Sequence, residues 1–119
     1  MKGRPAMAMR IAELAEALGA ELVEASNPEA ELREGYTSDL LSDVIAHAPS
    51  ASVLITIQAH LNTVAVATLA GIRAILLANG RSAPDDMRRA ARREGIAILR
   101  SPENQFVLSY RVHRLLHGP

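Results

Sequence analysis

The hydrophobic pattern changes in a regular way along the second half of the chain. Short apolar runs rich in β-branched residues alternate with segments whose apolar residues recur at helical spacing. The runs are Ser52–Ile57, Arg73–Leu77 and Ile96–Leu99. Continuous runs of this kind are typical of strands buried on both faces, and their alternation with helices favours parallel pairing. The pattern predicts an α/β fold, a single compact domain with a mostly parallel sheet and helices on both faces.

Each predicted strand leads into a predicted helix. The first of these helices spans Asn62–Ala70 and consists of small and branched apolar residues, so we expect it to be buried nearly all round. The second opens at Pro84, and the third at Ser101. The residues expected on the packed side of the last helix are Phe106, Tyr110, His113 and Leu115 or Leu116.

The first half carries weaker signals. An amphipathic helix is predicted from Met9, with Gly19 as its stop. A short strand at Glu21–Val23 and an extended segment at Glu31–Tyr36 are expected to follow.

A second helix is predicted over Asp39–His47. Ser38 stands where an N-cap belongs, and Asp39 then falls in the first helical turn. The residues that this helix is expected to turn inward are Leu40, Leu41, Val44 and Ile45.

Composition indicates the cellular compartment. The chain has 119 residues and no cysteine, which fits a reducing compartment, and no signal peptide is visible, so we expect a cytoplasmic protein. No charged residue occurs between Val44 and Ile72, but polar residues and Pro49 interrupt this stretch, so it predicts no membrane span.

The chain is expected to consist of a tail and one domain. Residues 1–8 are expected to be a flexible N-terminal tail, and residues 9–117 to form the domain.

Charge is unevenly distributed. Residues 1–60 carry 4 basic and 9 acidic groups, and residues 61–119 carry 9 basic and 4 acidic groups. This distribution has two interpretations. It indicates either a mixed, solvated surface, or a functional region in the second half, which would be an anion site or a self-complementary interface. The arginines of residues 88–93 indicate a solvated helix face rather than a nucleic-acid site, because no aromatic residue accompanies them.

The loops that follow the predicted strands carry polar side chains. In an open parallel sheet, ligands bind beyond the carboxyl ends of the strands, where helix N-termini attract anions. We therefore expect a site for a phosphorylated ligand at this edge. Its candidate ligand-binding residues are Gln58, His60, Asn62, Asn79, Gly80 and Arg81, with Ser38 and Asp39 before the second helix. The alternative is that Ser38, Asn62, Ser82 and Ser101 are simply helix caps.

His60 has two interpretations. It could donate to a phosphate or act as a general base, or it could be satisfied by neighbouring backbone groups. No nucleophile–base arrangement, nucleotide-binding motif or metal-ligand spacing is visible, so the sequence predicts no catalytic residue, no metal and no cofactor.

Two segments together resemble the DRTGG-domain family. They are Gly35–Val44 and Ile55–Ala67, and the resemblance extends over roughly residues 9–117. The similarity is greatest to stand-alone members related to the N-terminal domain of HPr kinase, which keep His and Asn at His60 and Asn62. It implies an α/β domain that dimerises and acts in regulation beside other domains. Of the family's eponymous motif only Gly80 matches.

The sequence thus favours a homodimeric regulatory module that binds a small phosphorylated ligand or adenine nucleotide and is not catalytic by itself. The alternatives are an accessory subunit that docks on a partner enzyme, and a small enzyme that uses His60. No membrane or nucleic-acid partner is expected.

Overall fold

The computed structural model describes residues 8–119, so the predicted tail, residues 1–8, lies outside the described residues apart from Ala8. The described part contains seven strands and five helices. The strands are β1 Met9–Arg10, β2 Glu21–Glu24, β3 Glu31–Leu32, β4 Glu34–Thr37, β5 Ser52–Thr56, β6 Ala74–Leu77 and β7 Ala97–Arg100. The helices are α1 Ile11–Leu18, α2 Leu41–His47, α3 Leu61–Ala70, α4 Asp85–Glu94 and α5 Gln105–His117.

Five strands form the main sheet in the order β2-β7-β6-β5-β4. β4, β5, β6 and β7 are parallel, and β2 pairs antiparallel with β7 at one edge. β1 and β3 make a separate antiparallel pair. The predicted α/β fold with a mostly parallel sheet is confirmed. The three apolar runs form its three inner strands, β5, β6 and β7.

Helices cover both faces of the sheet, as the alternation predicted. Val53 and Ile55 of β5 pack into one core with α1 and α5, whereas Leu54 between them packs into a second core with α2, α3 and α4. Each strand therefore contributes alternate residues to two cores, which explains why its sequence is apolar without interruption.

The predicted start of the second helix is wrong. α2 begins at Leu41, two residues later than expected, and Leu40 is its N-cap residue. Ser38 does accept a hydrogen bond through Oγ from the Leu40 amide at 3.2 Å, but it lies before the helix. Of the residues expected to face inward, Val44 is buried and Leu41 is partly buried against the same core, whereas Leu40 and Ile45 are exposed.

The predicted packed side of the last helix is wrong in part. Phe106, Tyr110 and His113 are exposed, whereas Leu116 is buried as expected, together with Leu108 and Val112. A Cβ added at Gly35 of β4 would lie 3.1 Å from Val112 Cγ1, so helix and strand approach too closely there for an aromatic ring.

α3 departs from its predicted all-round burial. Thr63, Val64, Val66 and Ala67 are buried, but Leu61 and Leu69 face outward and are exposed. The described residues include no helix that is both long and apolar enough to span a membrane.

Candidate functional site

The loops that carry the predicted site residues start at one edge of the sheet. In the register of the parallel strands, Thr37 pairs with Ile55, Thr56 with Leu77, and Leu77 with Arg100. The chain leaves all four strands at this carboxyl edge. The topology therefore places the loops before α2, α3, α4 and α5 along one side of the molecule.

Asp39 joins the ends of two strands to the last helix. Its Oδ1 accepts hydrogen bonds from Thr56 Oγ1 and from the Ile57 amide, both at 2.9 Å, and from Gln105 Nε2 at 3.0 Å. Gln58 Nε2 donates to the Asp39 carbonyl at 3.1 Å. Oδ1 of Asp39 is thus engaged in internal contacts before α2 begins, whereas the sequence predicted Asp39 in the first helical turn.

The loop between β5 and α3 ends in a histidine cap. His60 is the N-cap residue of α3, and its Nδ1 accepts a hydrogen bond from the Asn62 amide at 3.0 Å. Thr63 Oγ1 donates to the Gln58 carbonyl at 2.7 Å, which closes the loop onto the helix. Asn62 is therefore not the cap, and the first turn of α3 contains no acidic residue.

The loop between β6 and α4 is held through its main chain. Asn79 and Gly80 both have positive φ, 58° and 66°, and form the predicted turn. Their amides donate to the carbonyls of Glu103 at 2.9 Å and Ser101 at 2.8 Å. Arg100 Nε donates to the Gly80 carbonyl at 3.0 Å. These amides are thus engaged with the loop that precedes α5 and are not directed at a ligand.

The start of α4 is acidic. Pro84 is the N-cap residue, and Asp85 and Asp86 occupy the first turn. Asp86 Oδ1 accepts from the Met87 amide at 2.7 Å, and Asp85 pairs with Arg88, whose hydrogen bond holds the pKa of the Asp85 carboxyl below its ordinary value. Carboxylates thus already offset the positive end of the dipole of the helix that follows Ser82. An anion site at this helix start stays a prediction.

Four other side chains at this edge face solvent. His60, Asn62, Asn79 and Arg81 are exposed, and their side chains make no hydrogen bond or ion pair with residues 8–119, apart from the cap formed by His60 Nδ1. No hydrogen bond within this described range joins the β5–α3 loop to the β6–α4 loop. The structure brings Gln58 and Asp39 together, and leaves these four side chains facing solvent.

Two site residues were missed from the sequence. Gln105 reaches Asp39 from the far end of the chain, and Asn104 caps α5 by accepting from the Val107 amide at 2.9 Å. Ser101, which was considered as a cap, instead accepts from the Glu103 amide. In the part of the chain that the structure describes, no cluster of three His, Asp or Glu side chains could hold a metal ion.

Comparison with solved structures shows a related fold. The chain is similar to the crystal structure of the CBS and DRTGG domains of the regulatory region of Clostridium perfringens pyrophosphatase, in complex with the activator diadenosine tetraphosphate. The TM-score is 0.72 at 11% sequence identity, over 92% of this chain and 48% of that chain. This chain thus spans about half the length of that crystallised chain. No family model matches the sequence, and no curated protein matches it either.

This likeness supports the DRTGG-like fold that the two sequence segments indicated. At 11% identity it concerns the fold alone. The predicted relation to HPr kinase stays a prediction.

Proposed function

We propose that the chain is a regulatory module that binds a small phosphorylated ligand, an adenine nucleotide in particular, beside the start of α3. The observation that carries this proposal is the set of exposed side chains at the carboxyl edge without partners among the described residues, next to a helix start that has no acid. His60, Asn62 and Arg81 supply the hydrogen-bond donors that phosphate oxygens accept.

The comparison supports a ligand of this class. The matched region belongs to a regulatory part of a pyrophosphatase and was crystallised with a dinucleotide activator. A nucleotide offers phosphate oxygens to a helix N-terminus and an aromatic base to apolar surroundings. The sheet edge provides the first kind of contact, because the positive end of the α3 dipole is not offset by a carboxylate in its first turn.

Arg81 is the strongest candidate contact. Its guanidinium is exposed and forms no ion pair with described residues, whereas Arg100 nearby is engaged by Gly80 and Glu21. A charge-assisted hydrogen bond to phosphate contributes roughly 1.5–3 kcal/mol. Arg81 therefore supplies the largest single contribution to binding at this edge.

The proposal assigns no catalysis to this chain. A general-base histidine is normally oriented by a carboxylate or another acceptor. Within residues 8–119 no carboxylate is hydrogen-bonded to His60, and Asp39 is committed to Thr56, Ile57 and Gln105. The contacts thus favour a binding role for His60 over the rival interpretation of a small enzyme.

The test is a titration with ATP, ADP, AMP and inorganic phosphate, followed by amide chemical shifts in NMR spectra. We expect shifts at residues 58–62 and 79–82, and Arg81→Ala should weaken binding by roughly 10- to 150-fold, in line with the loss of one charge-assisted contact. Arg89→Ala is the matched control, because Arg89 is exposed on α4 and makes no hydrogen bond with described residues. If no amide in these two segments shifts at millimolar ligand, the edge is only solvated and the accessory-subunit interpretation replaces this one.

A further inference from the structure

Two of the three aromatic residues of this chain are exposed on α5. The chain has one phenylalanine and two tyrosines, and Tyr36 packs against the core. Phe106 is 83% exposed and Tyr110 is 57% exposed. They lie four residues apart, and exposed Arg114 follows four residues later, so these three side chains form one stripe along the helix, the α5 stripe. Large aromatic side chains contribute most where they are buried, which makes the stripe a candidate contact surface.

Tyr110 and Arg114 are held together within the stripe. Arg114 Nη1 donates a hydrogen bond to the Tyr110 hydroxyl at 2.8 Å, and the guanidinium carbon lies 5.7 Å from the centroid of the tyrosine ring. Tyrosine and arginine are among the residue types that dominate the binding free energy of protein interfaces. Because these two side chains already fix each other, less rotamer entropy is lost when a partner binds them.

A small pocket opens beside Tyr110, between α5 and the end of α1. Its volume is about 180 Å³, and its other lining residues are Ala17, Arg111, Arg114 and Leu115. Ala17 and Leu115 supply apolar walls, whereas the two arginines supply a cationic rim. The pocket therefore suits an aliphatic side chain that has a carboxylate as its neighbour.

The charged and titratable groups of α5 are all basic. The helix carries two arginines, two histidines and no acidic residue. The carboxylates that reach it from other segments are already engaged, since Glu103 pairs with Arg111, and Glu34 bonds to His117 at 2.8 Å. Arg114 forms no ion pair with any residue of the described range. The α5 stripe is thus complementary in charge to an acidic surface.

This charge also separates the possible occupants. A second copy of the stripe would bring like charges together, which opposes a symmetric contact at this surface. A nucleic acid is held by many cations along its backbone, whereas the stripe itself contains one arginine. Acidic side chains interspersed with apolar ones match both the single charge and the two aromatic rings.

We propose that the α5 stripe binds an acidic amphipathic helix of a partner protein. The stripe spans eight residues of α5, about 12 Å, which is roughly two turns of a helix packed along it. Apolar side chains of the partner cover Phe106 and Tyr110, one of them enters the pocket, and a carboxylate pairs with Arg114. α5 lies on the face of the sheet opposite α3 and α4, so this contact does not depend on the proposed ligand.

An NMR titration of the full chain with a synthetic peptide tests the proposal. The peptide has about 20 residues, with leucines at helical spacing and glutamates on the remaining positions. We expect amide shifts at Ala17 and at residues 106–115, and Arg114→Glu should weaken binding by about tenfold or more, because it sets like charges against each other. Arg89→Glu is the matched control, since it makes the same charge change on exposed α4 and should bind as the unaltered chain does. Circular dichroism should show both variants folded.

A second peptide, in which lysine replaces every glutamate, separates the effect of charge from apolar attraction. It should bind the unaltered chain far more weakly. The proposal is overturned if the glutamate peptide shifts no amide of α5, if the two arginine variants bind it equally, or if the lysine peptide binds equally well. A single-stranded oligonucleotide that shifts the α5 amides at a lower concentration than the glutamate peptide would also overturn it. The nucleotide titration is followed at residues 58–62 and 79–82, so the two proposals fail separately.

Discussion

α3 and α4 begin at the same edge of the sheet, after neighbouring parallel strands, but their first turns differ. α3 is capped by His60 and has no acid in its first turn, whereas α4 follows Pro84 and opens with Asp85 and Asp86. Both helices present the positive end of a dipole. At α4 that end is already offset by carboxylates. Topology therefore determines where a helix start lies, and the side chains of the first turn determine whether it can accept an anion.

The loops leading into these helices are also anchored differently. The β5–α3 loop is held mainly by side chains: Asp39 binds the Ile57 amide and Thr56, and Thr63 binds the Gln58 carbonyl. The β6–α4 loop depends on main-chain bonds from Asn79 and Gly80. A single substitution should therefore damage the first anchor more than the second.

The largest expected effect comes from Asp39→Ala. It removes the acceptor of three hydrogen bonds and leaves the buried Thr56 hydroxyl without one partner, so the free energy of unfolding should fall by about 2–4 kcal/mol. Urea denaturation measures this. Asp39→Asn, which keeps an acceptor oxygen, should lose less, and Asp86→Ala at α4 should lose under about 1 kcal/mol. If Asp39→Ala and Asp86→Ala lowered the free energy of unfolding equally, the proposed difference between the anchors of the two loops would be contradicted.

An intermediate effect is expected at the α3 cap. His60→Ala removes the acceptor of the Asn62 amide and should destabilise the protein by about 1 kcal/mol. His60→Asn should keep most of the stability, because asparagine is a good N-cap. Both variants lose the imidazole, so both should weaken nucleotide binding in the NMR titration. Normal binding by His60→Asn would show that the histidine only caps the helix.

The smallest effect is a pH dependence that separates the two helix starts. The hydrogen bond from Arg88 lowers the pKa of Asp85 relative to its unfolded value of 3.8. The contribution of Asp85 to stability is therefore fully present above that value and is lost as the pH falls through the lower, folded pKa. NMR titration in acid should shift the amides at the start of α4 with a midpoint below 3.8, and should leave Asn62 and Thr63 without such a transition. If the amides at the starts of α3 and α4 titrated with the same midpoint, the assignment of the transition to Asp85 would be contradicted.

The sequence predicted the central strands well because their pattern has one explanation. Ser52–Ile57 and Ile96–Leu99 are apolar on both faces, and only a sheet covered on both sides accommodates that. The antiparallel pairing of β2 with β7 had no comparable signal, since a four-residue edge strand carries little pattern. Positions of strands inside the sheet were thus predictable, and the edge was not.

The face of α5 that packs against the core could not be predicted from helical periodicity. Phe106 with Tyr110 and Leu108 with Val112 are both spaced four residues apart, so two apolar stripes compete. The close approach of α5 to Gly35 selects the aliphatic stripe, and that contact exists only in the folded chain. The contacts within the candidate site could not be predicted for a similar reason. Its loops were predicted at the correct edge, but the inward role of Asp39 depends on Gln105, a residue distant in sequence.

The histidine cap of α3 also determines where the imidazole proton is carried. Because Nδ1 accepts the Asn62 amide hydrogen, neutral His60 must exist as the tautomer with its proton on Nε2. The nitrogen left for solvent or a ligand is then a donor, suited to a phosphate oxygen.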